Sequence, residues 1–278
     1  GRKMSRQKYL QMVVTVAVLG MSFTVNAADS PIDAGIGEVV TVGDNYEIGM
    51  NGNGSTAVAT AQNANVTLGN DAKVTVDGDS TYGVLTNGEN SKIEFGSGAG
   101  IEMTGNAAIG VETNADNSHI KFGKAAEIVL QGDYNYGVSV WSENSSIAFD
   151  DDAEITAVSS AVRVGGNDSK AVFGKNAVLN VSGDNAYTVH LGAVSGSSIS
   201  FDEGAVINSD GDSGIGIFIE RSGEVSFKDK ATIKVMGASA YGVYLQNQYD
   251  GNVSKITFGN EAKLEAHGYN ATGARIEA

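Results

Sequence analysis

Residues 91–105 (SKIEFGSGAGIEMTG) and 118–132 (SHIKFGKAAEIVLQG) carry the same pattern 27 residues apart. In each stretch, apolar residues alternate with polar ones around a central phenylalanine. That alternation is the side-chain period of a β-strand. Glycine-rich turns separate the alternating runs. The pattern therefore indicates short strands that recur at a fixed interval along the chain.

The same pattern extends over most of the chain as columns of equivalent residues. The central apolar position recurs, at spacings of 24 to 31 residues, as Leu68, Phe95, Phe122, Phe149, Phe173, Phe201, Phe227 and Phe258. Alanine stands four residues after each of these. A second apolar column comprises Val58, Val84, Val111, Val138, Val162, Val189, Ile217, Val243 and Ala274. Counting back six residues from each of its members gives glycine in every case except Thr156.

A unit of about 27 residues holds three short strands and their turns, but it cannot bury its own apolar side. Stacking the units, with each strand paired to its equivalent in the next, buries a continuous core. The sequence therefore predicts an all-β fold. We expect a single-stranded parallel β-helix (a solenoid) of about nine coils, with three short strands per coil and an internal phenylalanine ladder.

The N-terminal segment has the features of a secretory signal peptide. Basic residues precede an apolar run at 12–23, and Val25 and Ala27 occupy the small-residue positions of a cleavage site. We expect residues 1–27 to be the signal peptide, with Met4 as the true start and residues 1–3 upstream of it. Residues 28–50 are expected to form an N-terminal cap, and 51–278 the β-helix repeats.

Composition narrows the classes of function. The chain has 278 residues, a net charge of −15 and no cysteine. The absence of cysteine excludes disulfides, cysteine-ligated zinc and cysteine catalysis. An acidic chain lacks the basic footprint that nucleic acid or an anionic membrane surface requires. After the signal peptide no apolar run is long enough for a transmembrane helix, and no cofactor is expected.

A signal peptide followed by acidic, cysteine-free, Gly/Asn/Ser-rich coils resembles the passenger domain of bacterial autotransporters (type V secretion), in the style of the pertactin and AIDA-like adhesins. The resemblance covers 28–278 in composition and repeat style. It implies virulence-related adhesion or aggregation at the surface of a Gram-negative-type bacterium, and a C-terminal outer-membrane β-barrel. The sequence ends at Ala278 inside a coil, so we expect it to be the N-terminal part of a longer protein.

Two motifs suggest chemistry. The stretch GDSGIG at 211–216 resembles the surroundings of a serine-protease nucleophile, which needs a histidine base within hydrogen-bond reach. Ser213 aligns with ordinary turn residues of other repeats, and the three histidines are all expected at the surface. The acidic run Asp150–Asp152 could suit a hard cation, but it occurs in one coil only. We expect no catalytic residue and no metal site.

Four residues are candidate ligand contacts because they lie at or beside two interruptions of the repeat. Trp141, the only tryptophan, stands in a column that is otherwise polar or small. It is expected to point outward or to pack on a turn. Residues 245–255 form a longer connection, which is expected to protrude and carry recognition. Tyr244, Tyr249 and Asp250 lie in or beside it.

The expected function is therefore that of a secreted, non-enzymatic, adhesin-like surface protein, which contacts a host or bacterial surface protein or glycan. Two alternatives stay open at this point. One is a β-helix enzyme acting on polysaccharide. The other is a passive stalk that displays a distal domain.

Overall fold

The computed structural model describes residues 30–193, 195–246 and 253–277, together with the backbone of a two-residue strand at 15–16. These residues form three sheets wound into a β-solenoid of about nine turns, with about 27 residues per turn. The predicted fold class is confirmed. The described part of the chain has no α-helix, and so none that is long and apolar enough to cross a membrane.

Each coil contributes one strand to each sheet, and the strands are numbered in chain order. Sheet 1 contains β1 Thr15–Val16, β3 Val39–Val42, β6 Asn65–Leu68, β9 Lys92–Phe95, β12 His119–Phe122, β15 Ser146–Phe149, β18 Lys170–Phe173, β21 Ser198–Phe201, β24 Gly223–Phe227 and β27 Ser254–Thr257. Sheet 2 contains β4 Glu47–Asn51, β7 Lys73–Asp77, β10 Gly100–Thr104, β13 Glu127–Gln131, β16 Glu154–Ala157, β19 Val178–Val181, β22 Val206–Ser209, β25 Thr232–Val235 and β28 Lys263–Ala266.

Sheet 3 carries the surface that concerns function. It contains β2 Ile32–Ala34, β5 Thr56–Thr60, β8 Tyr82–Thr86, β11 Ile109–Thr113, β14 Tyr136–Val140, β17 Ser160–Val164, β20 Tyr187–Leu191, β23 Ile215–Ile219, β26 Tyr241–Gln246 and β29 Thr272–Glu277. Every strand of the solenoid pairs in parallel with its equivalents in neighbouring coils, except that β1 pairs antiparallel with β3. Strands β2 to β4 lie mainly in the segment expected to form a cap, and they pair in parallel with β5 to β7.

The phenylalanine column forms the predicted internal ladder. From Phe95 to Phe258, successive rings stack with centroid distances between 4.6 and 5.3 Å and interplanar angles of at most 13°. These distances follow the spacing of neighbouring strands in a sheet. Phe122 and Phe173 are fully buried, while Phe258 at the last step is 39% exposed.

A second buried ladder, which was not predicted from the sequence, consists of serines four residues before the phenylalanines. The hydroxyl of Ser145 accepts a hydrogen bond from the backbone N–H of Ser118 at 3.1 Å, and Ser169 does the same for Ser145 at 3.0 Å. The Ser169 hydroxyl donates to the carbonyl of Ser142 at 2.7 Å. Because turn backbone that is buried must find partners inside the protein, these hydroxyls satisfy groups that the strand ladders leave out.

The glycine column is explained by close contact between coils. A β-carbon on Gly211 would overlap the carbonyl oxygen of Gly183, and one on Gly237 would overlap that of Gly211. The assignment of Thr156 to this column is wrong. Gly183 packs on Val158 instead, and its N–H donates to the Val158 carbonyl at 2.9 Å. That coil is short, so counting residues back from Val162 misplaces the turn.

Aspartate and asparagine side chains connect the turns of successive coils. The Asp212 carboxylate accepts the backbone N–H of Ala238 at 2.8 Å, and Asp184 accepts that of Asp212 at 2.8 Å. Equivalent bonds are made by Asp44, Asn53, Asn70, Asp79, Asn106, Asp116, Asp151, Asn167 and Asp229. The recurrent Gly-Asp pairs therefore hold one turn against the next.

Candidate functional site

Sheet 3 presents two columns of side chains on its outer side. The first column, in register from coil to coil, is Leu85, Glu112, Ser139, Arg163, His190, Phe218, Tyr244 and Arg275. The second is Tyr82, Ile109, Tyr136, Ser160, Tyr187, Ile215, Tyr241 and Thr272. None of these sixteen belongs to the hydrophobic core cluster. Unlike the core columns, they vary in chemistry from coil to coil.

Aromatic rings from both columns pack against one another across several coils. The Tyr187 ring lies 5.0 Å from that of Phe218, and Phe218 lies 5.2 Å from Tyr244. Tyr244 in turn contacts Tyr241 at 5.6 Å. We call the group formed by Tyr136, Trp141, Tyr187, Phe218, Tyr241 and Tyr244 the aromatic face; within it the Phe218 side chain is buried beneath its neighbours. Aromatic residues are enriched at protein recognition surfaces because they bury much area with little rotamer entropy.

Trp141 lies at one end of the aromatic face. Its side chain points outward, as predicted, and is 50% exposed. The guanidinium carbon of Arg163 lies 4.2 Å from the Trp141 ring centroid and 5.4 Å from that of Tyr136. This is the geometry of a cation–π contact. The indole also covers Gly165, where an added β-carbon would overlap the ring.

Tyr244 lies at the other end, four coils from Trp141, or about 19 Å at the strand spacing. Its hydroxyl donates to the Glu277 carboxylate at 2.7 Å, and this hydrogen bond raises the pKa of Tyr244. The structure thus places two of the four candidate contacts on one face. Tyr249 and Asp250 lie outside the described residues.

His190 is buried, so the prediction that all three histidines lie at the surface is wrong for this one. The rings of Tyr187 and Phe218 pack beside it at 5.1 and 5.2 Å. Its Nε2 lies 3.2 Å from a Glu220 carboxylate oxygen. Burial, together with the charge of Arg163, lowers the pKa of His190 below its ordinary value, although Glu220 opposes the shift.

The lowered pKa of His190 predicts a loss of stability in mild acid. As pH falls below the ordinary histidine value of 6.5, the unfolded chain takes up a proton before the folded one, so the free energy of unfolding decreases. We expect the His190→Gln variant to lose less stability than the parent between about pH 7.5 and about pH 5.5. Denaturant unfolding of both proteins at the two pH values measures the difference. An equal loss in both would contradict the assignment.

Glu112 is a second buried ionisable group of the first outer column, at 7% exposure. Burial raises its pKa, although a hydrogen bond with Ser139 and the charge of Arg163 act in the opposite direction. That Glu112, Arg163 and Glu220 belong to one surface was not predicted from the sequence. The sequence does contain evidence for part of this surface, because the repeat places Glu112, Ser139, Arg163 and His190 in one column.

Ser213 is a turn residue in the structure. Its backbone has a positive φ of 54°, and its N–H donates to the Ala238 carbonyl at 2.7 Å. His190 pairs in register with Phe218 of β23, a strand that begins at Ile215, after the Ser213 turn. Among the described residues no hydrogen bond joins Ser213 to a histidine. The geometry for activating Ser213 as a nucleophile is therefore missing from this part of the chain.

The acidic run at 150–152 is divided among several partners. Asp150 and Asp151 each lie 3.5 Å from a lysine ammonium, those of Lys121 and Lys124. The Asp152 carboxylate accepts the side-chain amide of Asn176 at 2.9 Å. No group of three or more candidate ligands for a metal ion occurs within the described ranges.

Comparisons with protein-family models, with curated proteins and with solved structures found no match to this chain.

Proposed function

We propose that this chain is a secreted β-solenoid of the autotransporter-passenger type that acts as a non-catalytic adhesin or aggregation factor at the cell surface. The observation that carries the proposal is the aromatic face of sheet 3. Core columns repeat nearly the same residue in every coil, whereas the outer columns of this sheet differ from coil to coil. Such variation on a repeated scaffold is typical of a recognition surface.

The scaffold supports recognition by holding these side chains in place before a partner arrives. Each strand of sheet 3 between β5 and β26 is hydrogen-bonded on both sides, and the rings of Tyr187, Phe218 and Tyr244 pack in a row. Side chains that are already ordered lose little conformational entropy on binding. A partner that spans several coils would make repeated contacts at once, which raises avidity. A surface protein or a glycan of a host or bacterial cell meets these requirements.

The segment at 1–27 supports export in this proposal, and the negative net charge suits a solvated protein outside the cell. The test is adhesion of cells that display the protein. We expect the double variant Trp141→Ala/Tyr244→Ala to reduce binding to host cells or self-aggregation at least about tenfold, because such aromatic anchors dominate binding energy. Surface labelling of intact cells controls for equal display.

A matched control is the variant Tyr269→Ala, since Tyr269 is 80% exposed and lies outside sheet 3. It should leave adhesion unchanged. If the chain is part of a longer protein, deletion of residues 28–278 that keeps the remainder on the cell surface and leaves adhesion undiminished would favour the passive stalk and contradict the proposal.

The alternative of a polysaccharide-active enzyme is favoured by one observation, the His190–Glu220 pair close to Arg163 on an outer sheet face. Paired titratable groups of this kind occur at catalytic sites. Chromatography of acidic polysaccharides after incubation with the purified protein separates the two functions. We expect no shortened products, and products that disappear in the His190→Gln variant would establish the enzyme instead.

A further inference from the structure

Arg163 is a partly buried cation without a polar partner. Within the described residues it takes part in no hydrogen bond and no salt bridge, and its Nε is enclosed without an acceptor. Its contacts are the rings of Trp141 and Tyr136. By contrast, Arg275 of the same column donates to the Tyr241 hydroxyl at 2.9 Å and pairs with Glu277. A planar guanidinium with free donors suits a carboxylate, which it can hold with two parallel hydrogen bonds.

The acids nearest to Arg163 in the repeat have other partners. Glu112, two coils before it, is buried and hydrogen-bonded to Ser139. Glu220 bonds to His190. Neither forms an ion pair with Arg163, so its positive charge is available to a ligand.

Two glycines lie between Trp141 and the His190–Glu220 pair, beside Arg163. Gly165 and Gly192 succeed Trp141 in its column of the repeat, and both are partly exposed. The indole covers Gly165. At Gly192 the nearest atoms to an added β-carbon are the tips of Glu220 and His190, each at 3.3 Å. The result is a shelf with Trp141 at one end and the His190–Glu220 pair at the other.

We propose that this shelf binds an acidic glycan, with the carboxylate of one sugar residue on the Arg163 guanidinium and the apolar face of that sugar against Trp141. The inference rests on the proposed function and names the ligand class for one end of the aromatic face. A sugar acid fits because it combines one carboxylate with one apolar ring face, as the shelf combines one free cation with one half-exposed indole. An acidic side chain of a peptide presents its carboxylate without an apolar ring face beside it.

Trp141 makes the test direct, because it is the only tryptophan and so the only source of indole fluorescence. The purified full chain is titrated with sialyllactose and with oligogalacturonate, each compared with its uncharged counterpart, lactose and methyl-esterified oligogalacturonate. We expect a saturable fluorescence change with at least one acidic probe, and at least about tenfold weaker binding of its counterpart. The affinity of the acidic probe should fall as salt increases.

Variants assign the effect to Arg163. Arg163→Gln should weaken binding of the acidic probe at least about tenfold, and Arg163→Lys should restore only part of it, since lysine lacks the planar fork. Arg275→Gln, in the same column, should bind like the parent. Denaturant unfolding shows whether each variant is folded. If Arg163→Gln is misfolded, the comparison between the parent and Arg163→Lys decides.

Three results would overturn the inference: no binding of either acidic probe, equal binding of the acidic and uncharged probes, or binding unchanged in both Arg163 variants. Polyglutamate that competes as strongly as the glycans would assign the shelf to an acidic peptide instead. Cell adhesion of the Trp141→Ala/Tyr244→Ala variant separates failure of the ligand class from failure of the proposed function. If adhesion depends on Trp141 and Tyr244 while no acidic glycan binds, the proposed function stands and the ligand class is wrong.

Discussion

Replacing Phe173 with alanine is expected to lower the free energy of unfolding by about 4 kcal/mol. Phe173 is 2% exposed and stacks on Phe149 at 5.0 Å and on Phe201 at 4.8 Å. Its removal leaves a cavity in the middle of the ladder, where both neighbouring rings lose a stacking partner. The strand pairs on either side fix the backbone, so the coil cannot collapse to fill the space. Urea unfolding followed by circular dichroism measures the loss.

The matched control is Phe258→Ala at the last step of the ladder. Phe258 is 39% exposed, and among the described residues its ring stacks on Phe227 only, at 5.3 Å. We expect its loss to cost less than half as much as that of Phe173, because a partly exposed ring loses less transfer energy and leaves no closed cavity. Equal costs at the two positions would mean that the ladder does not determine stability in the interior of the solenoid.

The fold could be predicted because the core residues repeat with the period of the coil. Phe95, Phe122 and Phe149 recur at one interval. Because each of these rings stacks on the equivalent ring of the next coil, the same residue type repeats along the sequence and is easy to recognise. The failure at Thr156 has the same origin. Counting assumes equal coils, whereas the turn between β16 and β17 has only two residues. The backbone hydrogen bond from Gly183 shows that Val158 takes the place of the glycine there.

The candidate site could be predicted only in part, because outward columns carry no repeated residue to align. Trp141 and Tyr244 were recognised as irregularities, yet nothing in their spacing shows that they share a face four coils apart. His190 was misplaced because a position outside the core can still be buried when its neighbours are large. Here the imidazole is covered by Tyr187, three residues earlier in the same strand, and by Phe218, one coil away. Only the second contact lies beyond the local sequence.

The buried serines show a further limit. Ser118, Ser145 and Ser169 look like ordinary turn residues, and their sequence positions suggest exposure. The structure encloses them because the turns of successive coils stack as closely as the strands do. Their hydroxyls then serve the turn backbone that water cannot reach. Polar residues inside a solenoid are thus recognised by the contacts between coils and not by composition.

Gly211→Ala is expected to destabilise the solenoid by about 3 kcal/mol, the upper end of the usual cost of overpacking. Its added β-carbon would overlap the carbonyl oxygen of Gly183, which is backbone and cannot rotate away. The two coils must separate locally, which also strains the bond from Asp212 to Asp184. Gly43→Ala is the control, because nothing lies within 4 Å of its β-carbon position, and it should change stability by less than about 0.5 kcal/mol.

The same turn contains Ser213, so one pair of variants separates the two interpretations of the GDSG motif. If the motif is a link between coils, Gly211→Ala unfolds at lower urea, whereas Ser213→Ala changes stability by less than about 0.5 kcal/mol and leaves adhesion intact. If Ser213 is instead a nucleophile, Ser213→Ala abolishes labelling by a fluorophosphonate probe that the parent accepts. The first outcome is expected because the Ser213 backbone, and not its hydroxyl, carries the contact with Ala238. Labelling of the parent at Ser213 would contradict it, whatever the stability of the glycine variant.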